Sequence, residues 1–242
     1  SGASLAPAGQ SGNITLTSSP SFKSGMVAMV SGNARGESGD VSLGSGDSEA
    51  SIAGTVRVSG GRSGGDVGGA VLITSGGSAS GSSGRVEIAS TVADEGSSGD
   101  VALLSGGSTK SDTGDVRVQS GASTAGRGGS ISLAVGDGTA SSGGDVSINA
   151  GETSRADGVG GTVYIRGGGR MGPSKSAVGG FGGGVMIAGG DGKGTAEETA
   201  GDGGDVTLMG GNAESGFGGT VKLLTGVSDT GGSREITVQT GT

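Results

Sequence analysis

Apolar residues recur along the chain in one short pattern, Gly-x-(Val/Ile)-x-(Leu/Ile/Val). Its first apolar position falls at Ile14, Val27 and Val41, then every 15 residues through Val56, Val71, Val86, Val101, Val116 and Ile131 to Val146. The pattern continues at Val163, Val185 and Val206 after steps of 17, 22 and 21 residues, and returns to steps of 15 at Val221 and Ile236. Inside a unit, Val101-Ala102-Leu103, Val116-Arg117-Val118 and Ile131-Ser132-Leu133 alternate apolar with variable residues. That period of two, led by β-branched side chains, predicts a short strand. Glycines such as Gly114 and Gly121 bracket each strand, and the rest of the unit is Ser, Thr, Asp and Gly, a turn composition. No segment predicts a helix.

One strand per unit predicts an all-β chain, specifically a parallel β-solenoid (β-helix) built from 15-residue strand-turn units. Three arrangements share this pattern: each unit a complete coil, two units per coil with strands alternating between facing sheets, or a flat antiparallel meander. The residue between the two apolar positions distinguishes them. Alternate units place Arg57, Glu87, Arg117 and later Lys222 there, while the others place Ser42, Leu72, Ala102, Ser132, Tyr164 and Thr207. This 30-residue modulation favours two units per coil, with Arg57, Glu87 and Arg117 forming a ladder at about 4.8 Å spacing.

The array reads as one continuous body with three stretches: irregular units or a cap over 1–38, regular repeats over 39–150, and repeats with longer loops over 151–242. Pro7, Pro20 and the uneven first steps suit a capping end. The long units, Gly151–Gly160, Gly167–Gly183 and Gly189–Gly203, are expected to absorb their extra residues as loops. Ile52, Val67, Val159, Phe181 and Phe217, each four residues before a strand valine, are expected to fold back and plug the coil corner. Open sheet ends would invite end-to-end association.

Composition changes the picture in one respect. Glycine contributes 62 of 242 residues, aromatics 2% and the whole apolar set 30%. Without periodicity such a chain would be disordered, because it cannot bury enough apolar surface to offset its conformational entropy. Cysteine and histidine are absent, which removes disulfides, thiolate chemistry, the usual zinc ligands and the commonest general base. A net charge of −8 argues against nucleic acid, whose phosphates need a basic surface. No apolar run approaches the roughly 20 residues of a membrane span. The chain starts at Ser1 rather than Met, as a processed product or fragment would.

Tested against chemistry, the sequence yields little. Its carboxylates sit in turns and at strand entries rather than in apolar pockets that raise a pKa, so an enzyme is not expected. Glycine strings such as Gly180-Phe181-Gly182-Gly183-Gly184 lack the following helix and Lys-Ser/Thr of a phosphate loop. Aspartate recurs before the strand valine at Asp40, Asp100, Asp115, Asp145 and Asp205, with Asp66 offset into a turn. Asp100 and Asp115, one unit apart, are the candidate calcium pair, against the reading that aspartate accepts turn hydrogen bonds. No other cofactor is expected. Asn13-Ile14-Thr15 is an N-glycosylation acceptor. Ice binding through a flat Thr-x-Thr face fits only Thr15-Leu16-Thr17, because the equivalent positions elsewhere hold Arg57, Leu72, Glu87, Tyr164 and Met186.

The blocks Gly128-Gly129-Ser130-Ile131-Ser132-Leu133-Ala134-Val135-Gly136 and Gly143-Gly144-Asp145-Val146-Ser147-Ile148-Asn149-Ala150-Gly151 resemble the Gly/Ser-rich secreted repeat proteins of stramenopiles, of diatom and oomycete type. The resemblance runs from about Gly39 to the end. It implies an extracellular or cell-surface protein, part of a filament, flagellar hair or wall, and it carries over no functional residue. The residues themselves point the same way. Leu72, Ala102, Leu104, Ala134 and Met209 are candidates for an apolar assembly face, against the reading that they are scattered surface apolars. The expected function is a structural building block that self-associates into a fibre or layer. A surface- or ligand-binding module, recognising carbohydrate or ice, is the alternative.

Overall fold

A computed structural model of the chain describes residues 11–139, 142–169, 181–193, 201–229 and 231–241. Among the described residues there is no helix and no strand; bends and one short turn at 156–157 punctuate otherwise irregular backbone. This overturns the β-solenoid and its two units per coil. A sheet needs ladders of backbone hydrogen bonds between neighbouring extended segments, and the backbone bonds here run elsewhere. Each apolar segment is only three residues long between glycines that are costly to order. With two apolar positions per unit, little burial is gained in return.

The backbone bonds instead close loops. Two compact units divide the chain, Ser1–Val118 and Gln119–Thr242. In the first, the amides of Gly54, Gly69 and Gly84 donate to the carbonyls of Gly46, Gly61 and Gly76 at 3.3, 2.8 and 2.9 Å. In the second, Gly161, Gly183, Gly204 and Gly219 donate to Gly151, Gly168, Gly190 and Gly211, all at 2.8 Å. Apart from a local bond from the Gly158 amide to the Arg155 carbonyl at 3.0 Å, each acceptor stands five residues after a first apolar position, as Gly61 does after Val56, and each donor two before the next, as Gly69 does before Val71.

This geometry explains the uneven steps. Loops 46–54, 61–69, 76–84 and 211–219 span eight residues between the bonded glycines. Loops 151–161, 168–183 and 190–204 span ten, fifteen and fourteen. The excesses of two, seven and six equal the excesses of the 17-, 22- and 21-residue steps over 15. All the additional length therefore falls in sequence between the bonded glycines. The spacing from one donor to the next acceptor stays at seven residues, as in Gly54–Gly61 and Gly204–Gly211.

A hydroxyl organises the loop from inside. Ser63 Oγ accepts the amides of Gly65 and Asp66 at 3.3 and 2.9 Å. Ser48, Ser78, Ser108, Ser123 and Ser228 likewise accept the amide three residues on, at 2.9–3.1 Å. Each of these serines lies seven residues after its first apolar position. Ser and Thr hydroxyls tighten turns in this way because the side chain substitutes for a backbone acceptor.

Candidate functional site

Among the described residues none is buried, and there is no apolar core. The better-covered positions are instead in the loop throats, four residues after a first apolar position: Ser18, Ser120, Ala150, Gly167, Gly189, Gly210 and Thr225. Ser63, a turn-capping hydroxyl, is the other described residue of intermediate exposure. Throats built on glycine are tight: a Cβ on Gly60, Gly167, Gly189 or Gly210 would overlap the carbonyl oxygen of Gly69, Gly183, Gly204 or Gly219. Where serine holds the same position it bonds across, Ser45 Oγ donating to the Gly54 carbonyl at 2.8 Å. The sequence reading assigned these positions to generic turns. The signal that would have found them is the constant spacing of small residues and hydroxyls from the apolar position.

Apolar side chains carry the periodic surface. First positions from Val27 to Ile236 are 45–60% exposed, and second positions from Met29 to Leu223 are 62–75% exposed. Ile52, Val67, Val159, Phe181 and Phe217, expected to plug a coil corner, are 87% exposed or more. They lie on the loops two residues before the donor glycine, as Phe217 does before Gly219, with no core to fold back on. The proposed assembly residues Leu72, Ala102, Leu104, Ala134 and Met209 are all exposed. Their exposure alone does not set them apart from these loop residues.

The charged candidates are solvated. Glu87 pairs with Arg85, two residues away, at 2.5 Å, so the Arg57–Glu87–Arg117 ladder is replaced by a local contact. Arg155 makes the equivalent pair with Asp157, through Nε at 2.5 Å and through a second nitrogen at 3.2 Å. Asp100 and Asp115 are exposed, and among the described residues no three carboxylates converge on one point. Asp66 hydrogen-bonds the adjacent Val67 amide at 2.8 Å. Asn13 is exposed in irregular backbone.

An open depression of about 680 Å³ lies against Val238, Gln239, Thr240 and Gly241. None of these residues titrates, so the depression supplies no acid, base or nucleophile pair. Among the described residues no helix is long and apolar enough to cross a membrane. No protein-family model matches the chain, and no curated protein or solved structure matches it either.

Proposed function

We propose that the chain is a structural building block that associates with further copies of itself in an extracellular filament, hair or surface layer. One observation carries this reading: apolar side chains are exposed at a fixed repeat along the described residues, with none buried. The chain exposes 24377 Å², whereas a folded monomer of its 22.3 kDa would expose about 9,400 Å². Apolar surface left in water favours association. A partner with the same repeat offers matching apolar groups at every unit, and the simplest such partner is a second copy.

An extracellular or surface location fits a chain without cysteine, which is indifferent to redox state, and it agrees with the Gly/Ser-rich resemblance. The exposed Asn13 sequon is open to a glycan in that setting.

Electron microscopy and sedimentation of the full chain at physiological salt test the proposal. Filaments or sheets are expected, and the triple variant Leu72→Lys, Leu104→Lys, Met209→Lys is expected to weaken them. Discrete particles of one chain at all concentrations would refute it. Assemblies that dissolve in chelator would assign Asp100 and Asp115 a calcium-bridging role.

A further inference from the structure

Charge is unevenly distributed along the repeats. Residues 56–85 carry Arg57, Arg62 and Arg85 against one acid, Asp66, a net of 3 − 1 = +2. Residues 86–115 carry two glutamates and four aspartates against Lys110, a net of 1 − 6 = −5. The two segments are adjacent, each is two 15-residue units long, and both lie in the compact unit Ser1–Val118. Within one copy they meet through a single ion pair at their junction, Arg85–Glu87. Arg57, Arg62, Asp94, Glu95 and Asp100 are exposed and make no ion pair among the described residues. Opposite charges thus stand close in sequence yet are not neutralised by each other.

Resting on the self-association reading above, we propose that residues 56–85 of one copy contact residues 86–115 of a second, so that copies meet out of register. In-register contact would set −5 against −5, and like charges facing across an interface oppose association. A shift of 30 residues carries Val56 onto Val86 and Val71 onto Val101. Exposed apolar positions then still face their equivalents while the sign of the charge reverses. A foreign basic partner would occupy the acidic segment and leave 56–85 unused; a second copy satisfies both.

Sedimentation velocity of the full chain tests this with two variants, Arg57→Glu/Arg62→Glu and Asp94→Lys/Glu95→Lys. These side chains are exposed and make no ion pair among the described residues, and none takes part in a loop closure, so the substitutions leave the closures intact. Each variant alone is expected to raise the concentration of half-assembly at low salt, by about tenfold for Arg57→Glu/Arg62→Glu, which sets −2 against −5, and by less for Asp94→Lys/Glu95→Lys, which leaves +2 against −1. Added salt narrows that gap by screening. Mixed in equal amounts, the two variants set the +2 segment of one against the −5 segment of the other and are expected to assemble at a lower concentration than either alone. Wild-type chain that assembles while both variants match it would overturn the charge register alone. A wild-type chain that stays monomeric would overturn the self-association reading and this inference with it.

Discussion

Gly60 lies against Gly69 so closely that a Cβ on Gly60 would overlap the Gly69 carbonyl oxygen. Alongside, the Gly69 amide donates to Gly61 at 2.8 Å. The neighbouring Gly61 has nothing within 4 Å of its own Cβ position. Two adjacent glycines thus have different jobs, one spatial and one as acceptor. Gly60→Ala is expected to open the loop and Gly61→Ala to leave it closed. One net hydrogen bond is worth roughly 0.5–1.5 kcal/mol, so hydrogen exchange at the Gly69 amide should quicken about three- to tenfold in the first variant only. Equal exchange in both would show that the throat does not govern closure.

The capping hydroxyls offer a loss and a gain. Ser63→Ala removes the acceptor of the Gly65 and Asp66 amides and should loosen that turn by about 0.5–1 kcal/mol, in the range of caps and neutral hydrogen bonds. Ser63→Thr keeps the hydroxyl and should keep the turn. In the unit that begins at Val86 the equivalent position is Ala93, and the bend at 94–96 is present all the same. Ala93→Ser is expected to supply the missing cap and to slow exchange of the Gly96 amide. Amide exchange by NMR reads all three variants, and an unchanged Gly96 would show that spacing alone does not make the cap.

Much of the loop architecture was legible in the sequence, and the strands were not. The spacing from Val41 to Val146 located the repeated glycines and serines, which mark turns through local chemistry. Alternation in Val101-Ala102-Leu103 reports only that two side chains can share a face. It does not report that a neighbouring segment will pair with it, and no such pairing forms among the described residues. Val67 and Phe217 misled for a related reason: an apolar residue was assumed to have a core to reach. The acceptor of the Asp66 amide is a serine three residues back, a relation of fixed spacing that composition hides. Arg85 and Glu87 show the same locality, since charge two residues away prevailed over charge 30 residues away.

Loop length should be nearly free, and the spacing between loops should not be. Enlarging loop 61–69 from eight to fourteen residues, the span of 190–204, adds about 0.5 kcal/mol of closure entropy by the logarithmic law. Protection of the Gly69 amide should fall by about half or slightly more. Deleting Leu72 shortens the seven-residue spacing from Gly69 to Gly76 and is expected to cost closure of both flanking loops. If the insertion opened the loop as fully as the deletion does, the separation of fixed and variable parts would be wrong.

Heat capacity gives the most global check on a chain with no buried apolar residue among those described. Unfolding a compact protein exposes apolar surface to water and raises the heat capacity by about 12–15 cal/mol/K per residue. For 242 residues that amounts to about 3 kcal/mol/K. A single copy here has little apolar surface left to expose, so dilute chain should show no cooperative calorimetric transition and a much smaller increment. Association is what buries the Val and Leu positions in the proposed reading, and burial lowers heat capacity. Concentrated, assembled chain should therefore gain a transition whose midpoint rises with concentration, as coupling to association requires. A concentration-independent transition of full size in dilute monomer would mean that each copy buries its own apolar residues, against the exposure seen from Val27 to Ile236.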